Sequence, residues 1–316
     1  MTRTDDTHSA LAAASASPAP ALDQAFAIAG GRVTGRAHQR LGHGCQDGLA
    51  WYAASDALVA VVTDGCGSSQ YSEVGARLGA RLLVAALVRE LAQGVGREAA
   101  GDPDRESAHA PGAGGARDSA DGEQVVQRAC GDVLDHLRVL ARAMGGDLAH
   151  AVSEHFLFTI VGAVVTPARA LVFALGDGIV AINGAVHEIG PFPGNCPPYL
   201  GYRLLDPGAS AALSFQAVAA TATIDSLLLA TDGAGAILAH PDRALPGRSE
   251  PAGPLAQFWT DDAYVRNPDA VRRRLWLMSR EHVSPDWAAR HLRRDGGMLG
   301  DDTALIAIRR RPEARP

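Results

Sequence analysis

The sequence predicts an α+β fold of stacked antiparallel β-sheets with helices packed outside them, and three observations carry that expectation. Short β-branched or apolar runs, bounded by Gly, Asp, Asn or Pro, recur along the chain. Between residues 155 and 189 strand follows strand with no helix between them, which is not the β-α alternation of a parallel sheet. Two long segments in the first half carry apolar residues at steps of three and four, the spacing of helices lying on a core.

Taken in order, residues 1–22 are Ala/Ser/Pro-rich without periodicity and read as a disordered tail. "FAIAGGRVTG", "LAWYAAS" and "ALVAVVT" are the first strands. A helix is expected from Glu73 to Leu91, with Val74, Leu78, Leu82, Ala85 and Val88 on one face. A second runs from Glu123 to Met144, with Val126, Cys130, Val133, Leu137 and Leu140. Residues 98–122 between them are polar and small, and read as a low-complexity loop joining two paired helices. "FLFTIVGAVVT", "RALVFALG", "GIVAING", "AVHEIG", "SLLLAT" and "TALIAIR" supply the remaining strands. Weaker helical segments at 254–261, 268–281 and 285–293 complete the outer layer, and 311–316 form a solvated tail. The expected domain therefore spans 23–310.

Composition narrows the function. A chain of 316 residues can bury a substantial core, yet no apolar run approaches the roughly 18 residues of a membrane helix. The acidic N-terminus does not look like a signal peptide, and a net charge of −6 argues against a nucleic-acid partner. Four scattered cysteines without a C-x-x-C pair argue against a zinc site or disulfide framework, and point to reduced thiols in the cytoplasm. All 29 basic side chains are arginine. With no lysine, P-loop, protein-kinase and Schiff-base chemistry are excluded.

Asp-Gly occurs six times, at 47, 64, 121, 177, 232 and 295. Asp-Gly is a common turn, and Asp121 and Asp295, in polar surroundings, read as turns. Asp64, Asp177 and Asp232 differ, because each ends a strongly apolar strand ("VAVVT", "LVFAL", "LLLAT"). Burying such charges costs several kcal/mol each unless they are paired or hold a cation. Oxygen ligands without a His or Cys pattern point to a hard ion, Mg²⁺ or Mn²⁺.

In this order "GCQDGL", "VVTDGCGSS", "ALGDGIV", "LLLATDGAG" and "GDDTALIAI" resemble the motifs of the PP2C family of metal-dependent protein phosphatases, over about residues 28–309. "HQRLGHGCQDG" is similar to the opening of its bacterial branch, a His followed by Cys-Gln-Asp. The resemblance implies an αββα sandwich and a phosphoserine/phosphothreonine protein phosphatase, paired with a Ser/Thr kinase. It implies attack by water activated at a binuclear Mn²⁺ or Mg²⁺ centre. Asp64 would bridge the two ions with the Gly65 carbonyl bound directly or nearby, and Asp232 and Asp301 would complete the first ion's set of ligands. Asp47 would hold the second ion through water, and Asp177 with Asp232 a weaker third. The chain departs from the pattern at three places. Asp301-Asp302 stands for Asp-Asn, Gln46 stands where an acid is common, and Gly42 stands where a phosphate-clamping arginine is common. Arg40 or His38 is expected to take over the clamp. The rival reading is a catalytically inactive PP2C-like module that binds phosphoprotein or scaffolds a partner kinase; retention of all five metal-site acids favours the enzyme. The Pro/Gly-rich "GPFPGNCPPYLGY" (190–202) reads either as a flap over the site or as a plain surface loop.

Overall fold

The computed structural model describes residues 20–99, 114–209, 212–267 and 269–312. The chain opens with α1 (Leu22–Ala25), β1 (Phe26–Val33), α2 (Arg36–Leu41), β2 (Gly48–Ala53) and β3 (Leu58–Thr63). Three helices follow, α3 (Ser72–Ala99), α4 (Gly114–Ala143) and α5 (Leu148–His155). Then come β4 (Ile160–Val165), β5 (Arg169–Leu175), β6 (Gly178–Ile182), β7 (Ala185–Ile189), α6 (Tyr202–Leu205), β8 (Ser214–Ala220) and β9 (Ser226–Ala230). The last part holds α7 (Gly235–Ala239), α8 (Gln257–Thr260), α9 (Asp262–Arg266), α10 (Ala270–Ser279), β10 (His282–Asp286), β11 (His291–Asp295) and β12 (Thr303–Arg310).

Two five-stranded sheets stack face to face, one in the order β1-β12-β9-β6-β7 and the other β2-β3-β4-β5-β8. Every neighbouring pair is antiparallel. The expected αββα sandwich is the observed one. Successive side chains of a strand point to opposite faces, and here both faces are covered. In β3, Leu58, Ala60 and Val62 enter the layer between the sheets, whereas Val59 and Val61 meet α3 and α4. In β12, Ile306 and Ile308 face the other sheet, and Leu305 and Ala307 pack on the layer of α7 to α10. This double burial is why the strands read as unbroken apolar runs instead of alternating ones.

Several expectations are corrected. The segment 285–293 is a hairpin of β10 and β11, not a helix. Asp286 Oδ1 accepts the Ala289 amide at 2.9 Å, and Arg290 takes a left-handed φ of 53°, which together fix a turn inside the helical pattern. Asp295 ends β11 and accepts the Gly247 amide at 2.9 Å, outside any hairpin turn. Asp121 lies within α4 and not in a turn. In the expected loop 98–122, residues 98–99 and 114–122 are helical, and 100–113 lie outside the described residues. The strand β8, an exposed edge with weak alternation, was not expected. At the ends, Leu22 is buried at the start of α1 and the Arg311 amide donates to the Ala25 carbonyl at 2.7 Å, while residues 1–19 and 313–316 lie outside the described residues.

The buried face of α3 is also rotated from the expected one. Ala76, Ala80, Leu83, Val84 and Leu87 are buried, while Val74 and Ala85 are exposed. The helix packs on both a sheet and α4, so its apolar residues spread around most of its circumference and leave no unique stripe. In α4 the expected face is the buried one except at Leu140, which is 39% exposed.

Candidate functional site

The antiparallel register brings the acids together. Asp64 follows the last residue of β3, Thr63, which pairs with Gly48, the first residue of β2; Asp47 immediately precedes it. In the other sheet Ala230, the end of β9, pairs with Leu305 near the start of β12, so Asp232 and Asp301-Asp302 meet at the same edge. Asp177 sits in the short turn from β5 to β6. Strand ends of both sheets thus converge on one rim, and Asp64, Asp177, Asp232, Asp301 and His38 line a polar cavity of about 100 Å³ there. Gly65, Gln46 and Asp302 line it as well.

Asp47 is fully buried beside this cavity. Its Oδ2 accepts a hydrogen bond from Thr231 Oγ1 at 2.7 Å, and its Oδ1 has no partner among the described residues. Burial and then the Asp302 charge push its carboxyl well above the usual range. Asp64 is raised for the same first reason, followed by the charges of Asp47, Asp232 and Asp301. Burial and then Asp301 raise Asp232; burial and then Asp232 raise Asp177. No arginine lies among the residues lining the cavity; the guanidinium that comes near, Arg32, donates from Nη1 to the Asp47 backbone carbonyl at 2.6 Å and not to a carboxylate.

Asp302 has a different job from its neighbour. Its Oδ1 accepts the Gly35 amide at 2.6 Å, and its Oδ2 accepts the Gln46 amide at 2.5 Å and meets His38 Nδ1 at 2.9 Å. It therefore ties three segments together with both oxygens engaged, while Asp301 is exposed at the cavity wall. Gly233 lets these loops close. A Cβ there would lie 1.9 Å from the Asp302 carbonyl oxygen, a backbone atom that cannot swing away. Gly233→Ala is expected to cost about 1–3 kcal/mol by overpacking, checked as a lower midpoint in urea unfolding.

A family profile described as Protein phosphatase 2C matches residues 34–274. The chain belongs to the protein phosphatase 2C family. A solved serine-threonine phosphatase 2C from Toxoplasma gondii is similar in fold, at 15% identity and a TM-score of 0.55, with 93% of this chain and 97% of that one covered. A bacterial serine phosphatase, solved as a point variant, matches at 14% identity and a TM-score of 0.46, covering 90% of this chain and 98% of that one. The serine/threonine phosphatase Stp1 from Staphylococcus aureus matches at 12% identity and a TM-score of 0.44, covering 90% of this chain and 94% of that one. No curated protein matches the sequence significantly.

Protein phosphatases 2C are metal-dependent, and the residues of this member fit hard cations. The fit rests on the orphaned, fully buried Asp47 Oδ1 and on a donor set dominated by carboxylates that repel one another. His38, Asp301 and Asp302 also present ligand atoms within 4.8 Å of one another, although the Asp302 oxygens are already spent on amides and His38.

In this phosphatase 2C fold the residue at 42 has a structural reason to be glycine. α2 ends there with φ 72°, and the Gly42 amide caps the helix on the His38 and Gln39 carbonyls. Residues 36–41 are helical, and Arg40 in the last turn is exposed and does not line the cavity. Arg40→Ala is accordingly expected to leave KM for a phosphopeptide within about twofold of wild type, below the roughly 1.5–3 kcal/mol of a charged hydrogen bond. A tenfold rise in steady-state KM would return the clamp to Arg40. Asn195, Pro197 and Tyr199 do line the cavity, so the Pro/Gly-rich 190–202 segment is part of the wall. Its signal in the sequence was the proline and glycine density after a hairpin, which marks a shaped loop but not where it folds.

Proposed function

We propose that this protein hydrolyses phosphoserine and phosphothreonine monoesters on proteins, with two Mn²⁺ or Mg²⁺ ions. Asp64, Asp232 and Asp301, with the Gly65 carbonyl, would hold the first ion and share Asp64 with the second, and Asp47 would hold the second through water. Asp177 and Asp232 would offer a weaker third position. When bound, such ions neutralise phosphate oxygens and lower the pKa of a water that can attack phosphorus. The observation that carries the reading is the convergence of five carboxylates at one rim, with none balanced by a cationic side chain of the cavity lining.

The chain's own residues do the positioning. Asp302 locks Gly35, Gln46 and His38 around the acids, and its contact with His38 Nδ1 at 2.9 Å orients the ring so that, in the imidazolium form, both ring nitrogens donate, one to Asp302 and the other to a phosphate oxygen. His38 thus takes the clamp that Gly42 cannot supply. Tyr199 and Asn195, on the wall, would border the substrate. The His38-to-Asp47 pattern supports placement in the bacterial branch of the family, with a Ser/Thr kinase as the source of substrate. No helix among the described residues is long and apolar enough to cross a membrane, and a cytoplasmic setting is proposed from the free thiols of all four cysteines.

Hydrolysis of an aryl phosphate and of a phosphothreonine peptide, each with Mn²⁺, with Mg²⁺ and with chelator, tests the proposal. Metal-dependent turnover of both is expected. Binding of the phosphopeptide without turnover in any metal would establish the inactive module instead.

A further inference from the structure

The geometry points to a docking groove for an extended acidic segment of the substrate protein, lying between the free edge of β2 and one face of α3. This deepens the phosphatase reading and rests on it. β2 is the outermost strand of its sheet and pairs only with β3 among the described residues. Its outer half is open to solvent, with Trp51 42% and Tyr52 39% exposed. Opposite, α3 presents Arg77, Arg81, Ala85 and Arg89 at multiples of four residues, hence on one helical face. Tyr52, Val84 and Val88 give the groove between them an apolar lining, beside the backbone at Trp51, whose ring turns to the opposite face near Gly30, and the groove's volume is about 460 Å³.

Charge selects the occupant. Arg81 is exposed and has no hydrogen-bond or ion-pair partner among the described residues. Arg89 reaches Asp132 only at 3.4 Å, between two half-exposed side chains, a pairing of little worth. Arg77 donates to the Cys45 carbonyl at 2.8 Å, two residues before Asp47, so the arginine row begins at the loop of the site itself. The cavity is lined by carboxylates and the chain carries a net charge of −6, so the arginines along α3 offer an acidic polypeptide a local attraction close to the site that the bare cavity lining does not. The unpaired N–H and C=O groups of an edge strand accept an extended peptide as an added strand. Trp51 lies four residues beyond Asp47, about 13 Å at the usual strand rise, within reach of residues flanking a phosphoresidue held in the cavity.

The test uses the whole chain with Mn²⁺ present. A fluorescein-labelled, unphosphorylated peptide of alternating Glu and Val is titrated and followed by anisotropy, beside a peptide with Lys in place of Glu. Wild type should bind the acidic peptide at least tenfold more tightly than the basic one, with the difference shrinking in high salt. Arg81→Glu and, independently, Ala85→Glu should weaken the acidic peptide at least tenfold, with aryl-phosphate turnover and melting temperature unchanged. Equal binding of the two peptides, or undiminished binding by both variants, overturns the proposal. So does a dimer seen by sedimentation that Ala85→Glu dissociates, since a second copy would then own the groove. Because binding is read without turnover, an inactive centre would defeat the phosphatase reading and leave this result standing.

Discussion

Asp64→Ala is expected to remove metal-dependent phosphatase turnover by about three orders of magnitude or more, the scale on which a transition-state stabiliser counts. Asp64 is the acid proposed to serve both ions, and after burial itself the charges of Asp47 and Asp232 act on it most. Loss of turnover should come without loss of fold. In the metal-free protein the ionised Asp64 carboxylate is repelled by its neighbours, so its removal should leave the melting temperature unchanged or higher. Measuring aryl-phosphate turnover and thermal unfolding on the same preparation separates the two effects. Full activity in the variant would remove Asp64 from the reaction, and a collapsed melting temperature would show that it is structural.

The second large effect is linkage between metal, pH and stability. Asp47, Asp64, Asp177 and Asp232 all have folded-state pKa values raised above the unfolded value, chiefly by burial. A raised carboxyl binds its proton more tightly when folded, so its contribution to stability is present below the unfolded pKa of about 4 and is lost as pH rises above it. In chelator, therefore, the melting temperature should fall as the pH rises above about 4. Asp269, held down to about 2 by Arg272 and Arg273, titrates below that window and does not mask the trend. Divalent metal should reverse the trend, because it binds only the folded, ionised cluster. At a hundredfold excess over Kd the gain is about 2.7 kcal/mol, or roughly 5–10 °C. A metal-free melting temperature that rises with pH in calorimetry, or no shift with Mn²⁺ or Mg²⁺, would contradict the clustered-acid account.

The layered α+β architecture and most of the acids on its rim are legible in the amino-acid order alone. Doubly covered strands must be apolar on both faces, so "VAVVT" and "LLLAT" are legible as buried strands, and the aspartates after them are legible as costly. The meeting of those aspartates is a property of the folded chain. It depends on which strand ends pair, as Gly48 does with Thr63 and Leu305 with Ala230. The division of labour between Asp301 and Asp302 was implied only by position in the motif, and its physical cause is tertiary, since two adjacent carboxylates are chemically alike until amides from Gly35 and Gln46, distant in the chain, spend the oxygens of one. Arg40 shows the same limit in reverse. Seven residues from Asp47 it looked within reach, but a short helix capped by left-handed Gly42 turns that stretch and leaves the side chain in solvent. Local chemistry is written residue by residue, whereas reach and partnership are properties of contacts between segments far apart in sequence, and only folding supplies them.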